Sequence, residues 1–382
     1  MGYTAVKGGL DAILAAEALI NERDGRLDPQ AVGRGAQLLI DQVMGEGGLY
    51  APELAALAIA QAEGDPIEAA FLLRAYRSTL PRLGYTLPAD GRRMRVLRRI
   101  SSTFKEISGG QVLGRTRDYT QRLLDVDGTF AAASHAASLD PPLSTDAALP
   151  DFPSVVEALR AEGLVRAARA EPSEPFDITR DALRFPAPRS ARLQAMARGE
   201  TGFIVAIGYS AQRGLGAGHP TIAELRSGEL PIQIKHPLTH DPVTLGAVSL
   251  TEVEAINHTS GGMGGGTIVG GEGQPAERFD LGYGVSFGRH ERKAIGMAII
   301  DVSMNIVGNS GPAADEEFVL MHCDALESSG FVEHIKLPHY VTFQSALDRV
   351  RFRRLAQLST APAFAPPTFA GSNGTRKVEV PR

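Results

Sequence analysis

The sequence predicts an α+β protein in four parts. These are a helical N-terminal domain over residues 1–125, a linker with one short helix over 126–176, a mixed α/β domain over 177–355 and a disordered tail over 356–382. Three observations predict it. Proline-led helix starts fall in the first eighty residues. Residues 126–176 turn to Ala, Ser, Pro and Asp, with Pro141-Pro142, Pro150 and Pro153 as breakers. Beyond residue 177, short β-rich runs precede a stretch of helical spacing.

In chain order, Pro52-Glu53-Leu54-Ala55-Ala56-Leu57-Ala58 starts a helix with proline in its first turn. Asp65-Pro66-Ile67-Glu68 supplies an N-cap, an N1 proline and an N3 glutamate, a capping-box pattern with Asp for Ser/Thr. The helix it opens runs through Phe71, Leu72, Ala75 and Tyr76 and ends near Pro81. The linker helix is expected near residues 155–170. Gly202-Phe203-Ile204-Val205-Ala206-Ile207-Gly208-Tyr209 reads as a buried strand, with shorter strands at Pro231–Lys235 and Tyr283–Phe287. Ile295, Ala298, Ile299 and Val302 recur at helical spacing after Arg289. Pro, Ala, Gly and Ser dominate from about residue 356, which predicts disorder.

With 43% hydrophobic and 22% charged residues over 382 positions, the chain has the material for about two globular domains. A net charge of −5 argues against a general nucleic-acid binder. The single cysteine, Cys323, excludes an internal disulfide framework and a cysteine-only metal site. No apolar run reaches the roughly 18–20 residues of a membrane span. Residues 1–7 lack a signal-peptide core, so a cytoplasmic location is expected.

The chemistry concentrates in Phe331–Phe343, where His334 and His339 flank Lys336. Imidazole is the commonest protein metal ligand and titrates near neutrality. An i,i+5 pair diverges on a helix and falls on opposite faces of a strand, so the rings converge only if the chain kinks between them. Pro338 supplies such a kink. The sequence thus permits a two-histidine chelate at a broken strand, against the alternative of a strand end with two surface histidines. Zinc needs three or four ligands. Cys323 and His322 lie upstream, but no spacing fixes them beside the pair.

Anion sites are the second theme. Arg92–Arg122 holds nine cationic residues against Glu106 and Asp118, a concentration suited to a polyphosphate, an acidic partner or solvent. Within it, Ser108–Gly114 resembles a phosphate-cradling turn without the Gly-Lys-Ser/Thr ending of a P-loop. Gly288-Arg289-His290-Glu291-Arg292-Lys293 follows a strand and opens a helix, where clustered cations call for an anion or a carboxylate. Ser210–Pro220, with Gln212 and Arg213, is either a site at a strand end or a connecting loop. Ser260–Gly273 reads as a flexible loop. Asp315-Glu316-Glu317 and Glu252/Glu254 are either ligands and bases or exposed charges.

These blocks together carry a resemblance. Ala5–Gly9, Glu68–Arg77, Gly109–Asp125, Tyr209–Pro220, Gly282–Ala294, Asp315–Leu320 and Phe331–Tyr340 closely resemble the I subunits of the bacterial carbon–phosphorus lyase core complex. The resemblance covers most of the chain outside the linker and tail. The linker diverges, and the glycine-rich loop is longer than the family leads one to expect.

The resemblance implies phosphonate use alongside G, H and J subunits and an ABC-type ATPase subunit. The implied step replaces the adenine of ATP by a phosphonate at ribose C1, giving a ribose 1-phosphonate 5-triphosphate. Alone, such a subunit acts as a purine nucleosidase on ATP or GTP, and MgATP is the substrate. The family's zinc-binding histidines match His334 and His339. The C–P cleavage belongs to the iron–sulfur J subunit, which agrees with the lone cysteine here. The transition state carries oxocarbenium character. On this reading zinc on His334 and His339 positions a phosphonate oxygen, Lys336 assists, and Gln212, Arg213, Arg289, Arg292 and Lys293 hold the triphosphate. Glu291 is a guess for the general acid. The alternative is a scaffold subunit whose metal site is completed by a partner chain.

Overall fold

An aspartate followed by proline opens helices twice in the first eighty residues, because the carboxylate takes the free N–H groups of the first turn and proline needs no donor there. The computed structural model describes residues 8–22, 27–119, 122–126, 152–166, 174–215, 219–258, 278–306 and 308–360. It divides into a larger body, Glu22–Phe331, and a smaller one that joins Met1–Asn21 to Val332–Arg382. Helix α1 (Gly9–Asn21) belongs to the smaller body.

In the larger body, Asp28 caps α2 (Pro29–Gly35), which is followed by α3 (Gln37–Gly47) and α4 (Pro52–Gln61). Asp65 caps α5 (Pro66–Thr79) by accepting from Ile67 and Glu68 at 2.8 and 2.9 Å. Ile40, Val43, Met44, Ala55, Ile59, Ala69 and Leu73 form the core between these helices.

The sheet is a four-stranded antiparallel meander in the order β1 (Arg95–Ile100), β2 (Thr221–Lys235), β3 (Pro242–His258) and β4 (Phe279–Phe287). The fold is α+β, as the sequence predicts. The expected strands Pro231–Lys235 and Tyr283–Phe287 are the ends of the longer β2 and β4.

Three expectations need correction. Residues 95–100 lie inside the expected helical region but form an edge strand. Their arginines meet carboxylates across the ladder, Arg95 with Glu229 and Arg99 with Glu224, which favours pairing to β2. Residues 202–209 are not a strand but the middle of α8 (Thr201–Gln212), capped by Glu200, whose carboxylate accepts from Gly202 and Phe203 at 2.6 and 2.5 Å. A continuous apolar run cannot by itself separate a buried helix from a buried strand. Residues 356–360, expected in the disordered tail, instead continue helix α12 (Tyr340–Thr360), where Ala356, Gln357 and Leu358 sustain a helix well. The remainder of the expected tail, 361–382, lies outside the described residues, as does the Ser260–Gly273 loop and most of the linker.

The linker helix is α6 (Val155–Ala161), followed by α7 (Arg189–Arg198). Helix α9 (Glu291–Asn305) carries the predicted Ile295, Ala298, Ile299 and Val302 and lies on one face of the sheet against Leu225, Val253 and Ala255. It lies so close that a side chain at Gly282 or Gly284 of β4 would overlap the helix backbone at Ala298 and Ala294. Helices α10 (Glu316–His322) and α11 (Ala325–Glu333) follow. Among the described residues, no helix is long and apolar enough to cross a membrane.

In the smaller body, a short 3₁₀ turn at His334–Lys336 precedes α12. It exposes large apolar side chains, among them Leu10, Leu14 and Leu19 on α1 and Phe343, Phe352 and Leu355 on α12.

Candidate functional site

The histidine pair sits not on a broken strand but on a helix-to-helix turn. After the 3₁₀ turn His334–Lys336, Leu337 is extended (φ −75°, ψ 164°), the conformation that a following proline imposes. This kink brings the rings of His334 and His339 to 5.1 Å between centres, inclined at 61°. Two imidazoles on one tetrahedral ion, with metal–nitrogen bonds of about 2.1 Å, have ring centres about 5 Å apart. Nδ1 of His339 lies 2.6 Å from the carbonyl of Leu337. Such a contact, with Nδ1 donating, leaves Nε2 as the free ligand atom. The two histidines therefore fit zinc as a partial ligand set.

Among the described residues no third His, Cys, Asp or Glu joins them. Cys323 belongs to the larger body, buried, with its thiol pushed up to about 12 by burial and by Asp324. Lys336 is exposed and pairs with Glu333 at 3.3 Å.

The predicted anion position at the start of α9 exists, but the chain fills it itself. Gly288 turns at φ +62°, and any side chain there would overlap the carboxylate of Asp41. That carboxylate accepts from the Arg289 backbone N–H at 3.0 Å and from Gln37 at 2.8 Å. Arg289 and Arg292 remain exposed.

Lys293 does not reach outward for a substrate. It is 1% exposed, and burial pushes its pKa down to about 8, offset in part by Glu46. One oxygen of Glu46 accepts from the N–H and hydroxyl of Thr201 at 3.1 and 2.9 Å. Lys293 is the third residue of α9 and falls on the inward side of the helix, which its local sequence does not signal. Glu291, the guessed acid, is held by Arg98 at 2.7 Å, and burial raises its pKa.

Gln212 and Arg213 close α8, at the end of a helix rather than of a strand. Gln212 donates to the Pro220 carbonyl at 2.7 Å, and Arg213 lies over the Tyr209 ring at 5.8 Å. Asp315 caps α10 through Phe318, while Glu316 accepts from the Ala187 N–H.

Much of the basic stretch is neutralised internally. Arg92 pairs with Asp90, Arg95 with Glu229, Arg98 with Asp118 and Glu291, and Arg99 with Glu224. The turn at Ser108–Gly110 has the wrong polarity for a phosphate cradle. The carbonyls of Ser108 and Gly110, together with that of Pro153, accept from the buried Arg99 at 2.7–2.9 Å.

A further group includes Glu252 and Glu254, which the sequence leaves between ligands or bases and exposed charges; Glu252 is buried. The sheet face opposite α9 carries Glu224 and Arg226 on β2, Glu252 and Glu254 on β3, and Tyr283 on β4. Arg226 pairs with Glu252, whose other oxygen accepts from the Tyr283 hydroxyl at 3.0 Å. Burial, with the charges of Glu224 and Glu252, pushes the Glu254 carboxyl up to about 7. Burial and Glu252 also hold the Tyr283 phenol well above its usual range. The available signal was charge at every second position within two otherwise apolar strands.

The family model for bacterial phosphonate metabolism protein (PhnI) matches residues 2–357. The chain belongs to this family. Among the family's relatives, a putative C-P lyase subunit protein HtxH of Stutzerimonas stutzeri is 49% identical over 92% of this chain and 95% of its own length. The α-D-ribose 1-methylphosphonate 5-triphosphate synthase subunits PhnI of Rhizobium meliloti and Escherichia coli are 41% and 43% identical, over 92% and 91% of this chain and 95% and 97% of their own. Family membership places the chain in phosphonate metabolism, as a subunit of the C–P lyase pathway.

Proposed function

We propose that this chain, within a carbon–phosphorus lyase assembly, serves the step in which a phosphonate displaces adenine from C1 of ATP, yielding a ribose 1-phosphonate 5-triphosphate. Water takes the place of the phosphonate when the subunit acts alone, which makes it a purine nucleosidase. The proposed partners are the G, H and J subunits and an ABC-type ATPase subunit. The observation that carries the site is the 5.1 Å approach of the His334 and His339 rings.

His334 and His339 would hold the zinc ion, with His339 oriented by its carbonyl contact. When bound, the metal supplies a Lewis acid that neutralises an oxyanion. Lys336, itself paired with Glu333, adds positive charge beside the histidines. A two-histidine set needs further donors. Substrate oxygens, water or a partner chain would complete it.

A second reading, a scaffold subunit with a metal site completed by a partner, draws on the exposed apolar side chains of α1 and α12, which suit subunit contacts. Chromatography of base release from ATP by the purified chain, with and without zinc and the partner subunits, separates the two. Adenine release that the His334→Ala/His339→Ala variant loses supports the catalytic reading. No release in any combination leaves the scaffold.

A further inference from the structure

Three arginines crowd one end of α3 in the larger body. Arg74 and Arg77 come from successive turns of α5, and Arg198 is the last residue of α7. They meet at Gly48, the left-handed residue (φ +67°) that ends α3. A Cβ placed on Gly48 would lie 2.8 Å from Nη1 of Arg77 and 3.5 Å from Nε of Arg198.

Part of this is helix capping. Arg74 donates to the Glu46 carbonyl at 2.6 Å and Arg77 to the Gly48 carbonyl at 3.2 Å, where the α3 terminus is partially negative. Capping accounts for those two arginines and leaves Arg198 over. Its Nε is buried and, among the described residues, has no hydrogen-bond partner; the same holds for Nε of Arg74. A buried donor left unpaired is destabilising, so such groups are normally satisfied.

The charge balance points the same way. Asp324 is the carboxylate in direct contact, and Arg74 holds it at 2.7 Å. Burial, reinforced by Arg74 and Arg77, pushes Arg198 down to about 10, with Asp324 and Glu327 only partly opposing. Burial, Arg74 and Arg82 likewise depress Arg77, with Asp177 opposing. All three guanidinium groups are half-buried rather than sealed.

We propose that Arg74, Arg77 and Arg198 form a binding site for the phosphoryl oxygens of a polyphosphate ligand. The outer nitrogens of Arg77 and Arg198 supply the donors, and Arg74 sets their placement through Asp324. Planar guanidinium forks match phosphate oxygens in pairs, which a lone lysine does not. The site replaces Arg213, Arg289, Arg292 and Lys293 as the seat of a triphosphate. Identifying the ligand as the triphosphate of ATP rests on the function proposed above; binding of inorganic triphosphate does not.

The test is calorimetric titration of the purified full chain with sodium triphosphate, orthophosphate, ATP and adenosine. Arg77→Gln/Arg198→Gln is expected to weaken triphosphate and ATP at least tenfold and to leave adenosine unchanged. Unchanged triphosphate affinity in this folded variant overturns the proposal, as does a loss seen instead in Arg289→Ala/Arg292→Ala. Orthophosphate binding as tightly as triphosphate overturns the polyphosphate assignment. A second measurement needs no variant: phenylglyoxal modification of the wild type, mapped by peptide mass spectrometry. Triphosphate should protect Arg77 and Arg198, and protection confined to other arginines refutes the site. Protection here without adenine release from ATP keeps the site and removes the nucleosidase reading.

Discussion

Glu254→Gln tests the charged face of the sheet most directly. In the folded chain the Glu254 carboxyl is pushed from its ordinary 4.5 to about 7, chiefly by burial and then by Glu224 and Glu252, against the favourable charge of Arg226. Between those values the folded state keeps a proton that the unfolded chain releases, so stability falls as pH rises from about 4.5 to 7 and stays lowered above it. Ionising the group in the fold costs about 3 kcal/mol at pH 8 as an upper bound, less where water reaches its partly open side. Glutamine has the shape of the neutral acid and gives up only a long 3.5 Å contact from the Ser154 hydroxyl. The variant is therefore expected to be more stable than the wild type by about 1–3 kcal/mol at pH 8 and nearly equal to it at pH 4.5. Urea unfolding midpoints of both proteins across that range give the answer. A difference that does not change with pH, or a glutamine variant less stable at pH 8, would refute the reasoning.

Other outcomes follow from single contacts. Gly288→Ala combines a positive φ with overlap on Asp41, and should lower stability by about 2–4 kcal/mol in thermal or urea unfolding. Lys293→Met strips Glu46 of its main offsetting charge and should cost about 3–5 kcal/mol, most of which Glu46→Gln in the same chain restores. Strictly additive losses in that double-mutant cycle would show that the two groups are not coupled. Metal analysis after dialysis against zinc should find His334→Ala/His339→Ala short of one zinc equivalent that the wild type retains. Equal zinc in both would remove the pair as the ligand set.

Local signals were legible in the sequence. Asp65-Pro66-Ile67-Glu68 opens α5 where its capping chemistry demands, and the spacing of Ile295, Ala298, Ile299 and Val302 marks α9. The blocks around Glu68–Arg77 and Phe331–Tyr340 carry the family resemblance, and the kink at Pro338 was readable because proline acts on its immediate neighbour. The reading of residues 202–209 failed because an apolar run says that a segment is buried without saying whether it is helix or strand.

Partner choice across the chain is what the sequence by itself did not determine. Asp41 meets the N–H of Arg289 248 residues away, and Arg99 meets Glu224 across 125. The first pairing turns an apparent anion site into an internally satisfied one, and the second helps to hold the guanidinium that the glycine turn clasps. Packing at the end of α3 likewise brings Arg198 beside Arg74 and Arg77, three cations that no local pattern joins. Capping, turns and periodicity act over a few residues and are written locally. Burial and charge depend on which distant groups packing brings within a few ångströms, and only the tertiary structure decided that.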